Sequence, residues 1–255
     1  MKKERIESLL GVNVGVCSFS EVQDKLISCR NKEKLPENAK SVILFLFPYK
    51  VKQEKPKNIC RYASVADYHT ICDNILQGYV KILKNEHNEH NFVPFVDNSP
   101  IPEVYAASVA GLGDVGKNGL LINKDYGSYV FIGEIVTDLE IEANSFYSEC
   151  IDCGACKKAC PVGLDKQKCL SAVSQKKGEL SKEEADLLKN SGCVWGCDIC
   201  AEVCPMNKDK KTTNIEEFIG SYRNGYTLSE DITDRAYAWR GEKVIKRNYE
   251  IIKDR

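Results

Sequence analysis

Cys150-Ile151-Asp152-Cys153-Gly154-Ala155-Cys156-Lys157-Lys158-Ala159-Cys160-Pro161 places four thiols at i, i+3, i+6 and i+10 ahead of a proline. With that spacing three cysteines wrap one iron–sulfur cluster and the fourth crosses to a second, so a partner run is required. It is present as Cys197-Asp198-Ile199-Cys200-Ala201-Glu202-Val203-Cys204-Pro205, with its first cysteine displaced. CxxC pairs also suit tetrahedral zinc, but the x3-Cys-Pro ending and the crossing favour two [4Fe-4S] clusters. Cys150, Cys153, Cys156 and, by crossing, Cys204 account for one cluster. Cys160, Cys197 and Cys200 supply three ligands of the other, and Cys169 and Cys193 compete for the fourth place.

The rest of the composition agrees with an intracellular redox protein. The 255 residues suffice for one core and a smaller module, and the formal net charge of −1 gives no global pull towards nucleic acid. The 13 cysteines are concentrated in one third of the chain at ligand spacings rather than spread as a disulfide framework, which implies a reducing compartment. Glu4 and Glu7 interrupt what would be a signal n-region, and no apolar run is long enough to cross a bilayer. The expectation is a soluble cytoplasmic protein.

Ahead of the cysteines the pattern predicts an α+β domain with a mixed sheet. A short helix at 4–10 leads into a strand at 12–17, and 21–34 reads as a charged helix. Cys17 and Cys29 read as small buried hydrophobes. Residues 41–47, Ser-Val-Ile-Leu-Phe-Leu-Phe, form a continuous apolar run, the signature of a strand buried on both faces. Asp67 opens a long helix with apolar positions at 68, 71, 72, 75, 76, 79, 82 and 83. Arg61 and His69, beside it, read from spacing alone as ordinary surface groups, with a functional role the lesser alternative.

Residues 91–96 predict another strand, which ends at Asp97. A carboxylate at the exposed tip of a rigid strand suits catalysis, although Asp97 also suits an Asx-turn or the cap of a helix at 102–110. Gly111-Leu-Gly113-Asp-Val-Gly116-Lys117-Asn118 imitates both a dinucleotide fingerprint and a P-loop. Both need a strand before the glycines and a helix after, whereas here a helix precedes and a strand follows, so nucleotide binding is not expected. A hairpin is expected between 120–122 and 128–137, closing the domain near residue 145.

Arg61-Tyr62-Ala63, Asp67-Tyr68-His69, Asp97-x-Ser99-Pro100 with Glu103, Ala110-Gly-Leu-Gly-x-x-Gly116-Lys117-Asn118, Gly133-Glu134-Ile135 and both cysteine runs together resemble the epoxyqueuosine reductase family. The segment Cys169-Leu-Ser with Gln175-Lys-Lys-Gly178 resembles the family's intervening ligand segment, which selects Cys169 over Cys193. The resemblance implies a cobalamin-binding α/β domain over 1–144, a ferredoxin-like double-cluster module over 145–211 and a short helical extension over 212–255. It further implies reduction of the epoxide of epoxyqueuosine in tRNA, with Asp97 as general acid; the reductant, such as a flavodoxin or ferredoxin, is not identified by the sequence. Arg61, Tyr62, Gly116, Lys117, Asn118 and Ser128 are then the expected cobalamin contacts.

Family members continue into helical repeats that grip tRNA, whereas this chain resembles only their opening helices. Arg235, Arg240, Lys243, Lys246 and Arg247 are candidate phosphate contacts there, or an ordinary solvated helix face. The alternatives to the tRNA enzyme are a cobalamin and iron–sulfur reductase of a small molecule, as in the reductive dehalogenases, and a ferredoxin-like electron carrier.

Overall fold

A run as apolar as 41–47 has to be covered on both faces and paired on both edges, and it is. In a computed structural model, which describes residues 1–143 and 146–253, this run becomes a strand at the middle of a four-stranded sheet. The chain packs as two units: Met1–Pro48 with His69–Asp152, and Tyr49–Tyr68 with Cys153–Arg255.

The first unit contains α1 (Lys3–Leu10), β1 (Gly15–Ser18), α2 (Ser20–Gln23) and β2 (Ser41–Pro48). It continues through α3 (Tyr68–Glu86), β3 (Phe92–Val96), α4 (Glu103–Val109), β4 (Asp114–Val115), β5 (Leu121–Ile122) and β6 (Val130–Thr137). The sheet order is β1-β2-β6-β3, and each of its ladders is antiparallel. The fold class is α+β, but the sheet is not the mixed one expected. β2 and β3 run parallel, joined through α3, yet β6 is inserted between them, so no parallel pair touches.

Side-chain alternation along β6 assigns the two faces. Gly133 lies under α3, where an added Cβ would meet Phe47 at 2.9 Å and Leu76 at 3.0 Å. Ile132 and Val136 face the other way, into a core with Ala106, Ala107 and Val109 of α4. α3 buries Cys72, Leu76 and Leu83 of the expected stripe, but also Val80 outside it, while Ile82 within it is 38% exposed. Each such aliphatic side chain contributes about 2 kcal/mol on removal from water.

Three local expectations are corrected. The strand expected at 12–17 begins only at Gly15, because the Val14 N–H is taken by the Glu7 carboxylate at 3.1 Å. The helix expected at 21–34 is reduced to α2 and a 3₁₀ turn at Arg30–Lys34. The Ile27 N–H, which a helix would have used internally, is donated to the Pro100 carbonyl at 2.8 Å. The expected hairpin fails as well: Asn123 and Gly127 close a turn, but β5 pairs with β4, and β6 is already paired on both edges.

The second unit holds α5 (Ala155–Ala159), α6 (Leu170–Ser174), α7 (Lys182–Ser191), α8 (Ile199–Glu202), α9 (Glu216–Gly220) and α10 (Glu242–Lys253). Its core gathers Ile59, Leu170, Leu188, Trp195, Tyr226, Tyr237 and Ile245, with the Trp195 ring 5.7 Å from that of Tyr237 and tilted against it. Tyr49–Tyr68, expected within the first domain, belongs here instead: Ile59 bridges to Trp195, and the Cys60 N–H donates to the Trp195 carbonyl at 2.9 Å. Residues 212–255 are likewise built into this unit rather than standing as an extension. The expected boundary at 144/145 lies outside the described residues.

Candidate functional site

The cysteine-rich segment orders itself around two short helices. α5 follows Gly154, which takes a left-handed φ of 73° that an L-residue would resist, and it packs against α8. Cys204, just after α8, has Cys153 and Cys156 as its neighbouring thiols. Cys197 has Cys200 and Cys169 beside it, and Cys193 in turn faces Cys197. Cys169 stands at the head of α6, whereas the Cys193 thiol donates to the Trp195 carbonyl at 3.2 Å. Cys160 closes α5, its N–H donating to Cys156 at 3.1 Å, and Cys150 is held to Val115 of the first unit by its own N–H. Among the described residues, which include all 13 cysteines, no disulfide forms. Soft thiolate donors at this spacing fit iron–sulfur clusters.

The second chemical centre lies in the first unit. Asp97 follows β3 with a left-handed φ of 54°, a conformation that Asp tolerates better than most residues. Its turn is anchored from outside: the Asn98 carbonyl accepts from Asn31 at 2.9 Å, and the Ile101 N–H donates to Ser99 Oγ at 3.0 Å. The Asp97 carboxyl is 59% exposed, and His69 Nε2 lies 3.0 Å from its Oδ2. His69 lies at the start of α3, where spacing alone favours an ordinary surface group.

Behind Asp97 are two more carboxyls. Glu103, at the start of α4, accepts the Asp97 backbone N–H. Burial, then the Asp97 charge, push Glu103 up to about 8, while that hydrogen bond and His69 pull it down. Glu134 lies on β6 between Leu44 and Phe95, on the face covered by α4, and is 0% exposed. Burial and the neighbouring Glu103 raise it well above the carboxylate range. The Ser99 hydroxyl lies beside it, yet neither Glu134 oxygen completes a well-formed hydrogen bond. The sequence signal was available: Glu134 is an acidic residue inside an otherwise apolar strand, where a charge is costly to bury.

The expected cobalamin contacts divide between the units. In the first, the Gly116 N–H bonds to the Leu120 carbonyl at 2.8 Å, and Asn118 Oδ1 accepts from Leu120 at 3.3 Å. A Cβ on Gly116 would run into Asn118, and one on Gly113 would meet the Ile122 carbonyl at 2.7 Å. These glycines are therefore required by the β4–β5 ribbon itself. α4 precedes and β5 follows them, so the nucleotide-loop context is absent as expected. Lys117 pairs with Asp152 at 2.7 Å, and Ser128 is 5% exposed.

In the second unit, the Arg61 N–H donates to Asp198 at 2.7 Å and the Tyr62 hydroxyl accepts from the Trp195 indole at 2.9 Å. Although the Gly116 N–H and Lys117 are engaged within the first unit, the glycine loop there carries the Asn118 amide and the Lys117 ammonium. That chemistry fits the amides and the phosphate of a corrinoid.

The family model described as "Epoxyqueuosine reductase QueG, DUF1730" matches residues 30–98, and a 4Fe-4S binding domain model matches residues 146–164. An epoxyqueuosine reductase of Cyclobacterium marinum is 35% identical over 84% of this chain and 72% of its own length. That of Lactococcus garvieae is 32% identical over 83% of this chain and 68% of its own length. The chain belongs to the epoxyqueuosine reductase family. A solved epoxyqueuosine reductase with an epoxyqueuosine-modified tRNA-Tyr stem loop is 25% identical, with a TM-score of 0.80 over 98% of this chain and 79% of that one. The family match confirms the oxidoreductase class and an iron–sulfur segment. No helix among the described residues is long and apolar enough to cross a membrane.

The basic residues near the end need correction. Arg235 is 2% exposed and donates to the carbonyls of Ser64 at 3.2 Å and Ser221 at 2.8 Å. Arg247 donates to the carbonyls of Lys176 and Gly178 and to Asn248, which is itself fully buried and bridges Ser174 and Val194. Both arginines hold the unit together and do not reach towards phosphates. Arg240, stacked over Trp239 at 3.8 Å, Lys243 and Lys246 remain at the surface. Arg235→Ala is expected to lower stability by about 3 kcal/mol, since two buried carbonyls lose their donor. A denaturant-melt midpoint within error of wild type would contradict this.

Proposed function

We propose that this protein reduces the epoxide of epoxyqueuosine in tRNA to the alkene of queuosine. The observation that carries the reading is the Asp97 turn at the tip of β3, where an exposed carboxyl meets His69 and Glu103 holds the backbone N–H, in a chain of this family. Membership, and the tRNA stem loop bound by a relative, support tRNA as the substrate.

Cys150, Cys153, Cys156 and Cys204 would hold one [4Fe-4S] cluster, and Cys160, Cys169, Cys197 and Cys200 the other. In the first unit, Gly116, Lys117, Asn118 and Ser128 would hold cobalamin. Bound cobalamin supplies strongly reducing chemistry at cobalt, fed by single electrons from the clusters. The chain's own contribution to bond breaking is the proton. Asp97 donates it to the departing epoxide oxygen, and His69 orients the carboxyl through its 3.0 Å contact.

The test is anaerobic reconstitution with iron, sulfide and cobalamin, followed by assay with a strong reductant on tRNA from a strain lacking the epoxide reductase. Conversion of epoxyqueuosine to queuosine is the expected outcome. An unchanged nucleoside under conditions where the Cyclobacterium marinum relative converts it would refute the proposal.

A further inference from the structure

Removing an epoxide oxygen as water breaks two C–O bonds, forms a carbon–carbon double bond, and consumes two electrons and two protons. The iron–sulfur clusters supply the electrons singly. One carboxylic acid in contact with the substrate supplies one proton and is then an anion, so it must be reloaded before the oxygen can leave as water. The reloading path has to start behind Asp97, because its exposed side is where substrate sits.

Two carboxyls occupy that position, and the fold built them in at some cost. Glu103 reaches Asp97 closely enough to accept its backbone N–H. Glu134 is fully enclosed between sheet and α4, with neither oxygen in a well-formed hydrogen bond. Burying a lone carboxylate in such a place is prohibitive, and the group resolves this by keeping its proton. Three adjacent anions would also repel one another, which favours the acid form of the two inner members.

We propose that Glu103 is the positioning residue that returns a proton to Asp97 within each turnover, and that buried Glu134 behind it keeps it in the acid form. The inference rests on the proposed role of Asp97 as general acid. The step balances: Asp97 passes its proton to the departing oxygen, Glu103 passes its own to the Asp97 carboxylate, and Asp97 delivers that second proton to form water. Glu103 recovers a proton from solvent through the His69 side once product has left. Throughout, the Glu103 carbonyl oxygen continues to accept the Asp97 N–H, which holds the left-handed turn in place.

The groups that face this pair are His69 from α3, Asp97 from the end of β3 and, across the sheet from Glu134, Cys17 of β1 with Glu21 of α2. His69 is the only one of these that can carry positive charge. With Glu103 raised to about 8, it is an acid at neutral pH and loses its proton as pH rises through that value, so turnover should fall on the alkaline side.

The experiment compares wild type, Asp97→Asn, Glu103→Gln and Glu134→Gln as reconstituted holoproteins. Glu103→Gln keeps an acceptor for the Asp97 N–H but cannot pass on a proton. It should lower kcat about tenfold with KM unchanged and abolish the alkaline limb of the pH profile. Infrared difference spectra provide a readout independent of turnover. The carbonyl stretch of a protonated carboxyl should be present at neutral pH, lose one component in Glu103→Gln and another in Glu134→Gln, and the first should titrate near pH about 8. An inactive Asp97→Asn beside a Glu103→Gln enzyme with wild-type kcat and pH profile would overturn the relay alone. A fully active Asp97→Asn would overturn both the relay and the role of Asp97. Absence of a protonated-carboxyl band attributable to Glu103 would also overturn the relay, even if Glu103→Gln were slow.

Discussion

Asp97→Asn should reduce turnover of epoxyqueuosine in tRNA about a thousandfold or more while leaving iron and cobalamin contents at wild-type levels. Asparagine is the informative replacement because it tolerates the left-handed φ of 54° nearly as well as aspartate, so the turn and its bonds to Asn31 and Glu103 persist. What is lost is the ability to donate a proton at the site 3.0 Å from His69. A thousandfold loss corresponds to about 4 kcal/mol of transition-state stabilisation, more than one rearranged hydrogen bond supplies. Turnover by liquid chromatography of digested tRNA, with iron and cobalamin assayed on the same sample, decides it. Retention of more than a tenth of wild-type kcat would remove Asp97 from the acid's role.

The second large effect concerns the eighth thiol. Cys169→Ala should lose about half of the bound iron, one of two four-iron clusters, whereas Cys193→Ala should keep it. Both cysteines lie near Cys197, so proximity does not separate them. Their surroundings do. Cys169 stands half-buried at the head of α6 and makes no side-chain cap bond there, so its thiol can turn towards a cluster. Cys193, equally half-buried, already donates its thiol to the Trp195 carbonyl, next to Cys60 and the tilted Trp195–Tyr237 pair. Cys193→Ala should therefore act on stability, by about 1 kcal/mol, and not on metal content. Equal iron loss in the two variants, or loss confined to Cys193→Ala, would reverse the assignment.

Much of the site could be read from the chain because its signals are local. The cysteine spacings are fixed by the size of the group they enclose, and so they survive in one dimension. The central strand at 41–47 and the helix beginning near Asp67 announce themselves by period and composition. The reversed order of helix and strand around Gly111–Gly116 was equally plain, and the β4–β5 ribbon explains those glycines without a nucleotide. Asp97 was visible as a candidate, but the choice between turn residue and acid needed the family resemblance, since both roles place the same residue at the same strand tip.

What sequence could not supply was every relation that depends on distant segments meeting. β6 enters between β2 and β3, which removes the expected hairpin and parallel pairing and sets Glu134 under α4. Tyr49–Tyr68 leaves its neighbours for the core around Trp195. Arg235 and Arg247, read as phosphate contacts from their charge, turn inward because backbone carbonyls from Ser64, Ser221, Lys176 and Gly178 converge on them. By itself, then, the sequence determined the two thiol runs, the principal strand and helix, and the family. Only the tertiary structure decided which charges are buried, because burial is a property of the segments that close over a side chain and not of the residue that carries it.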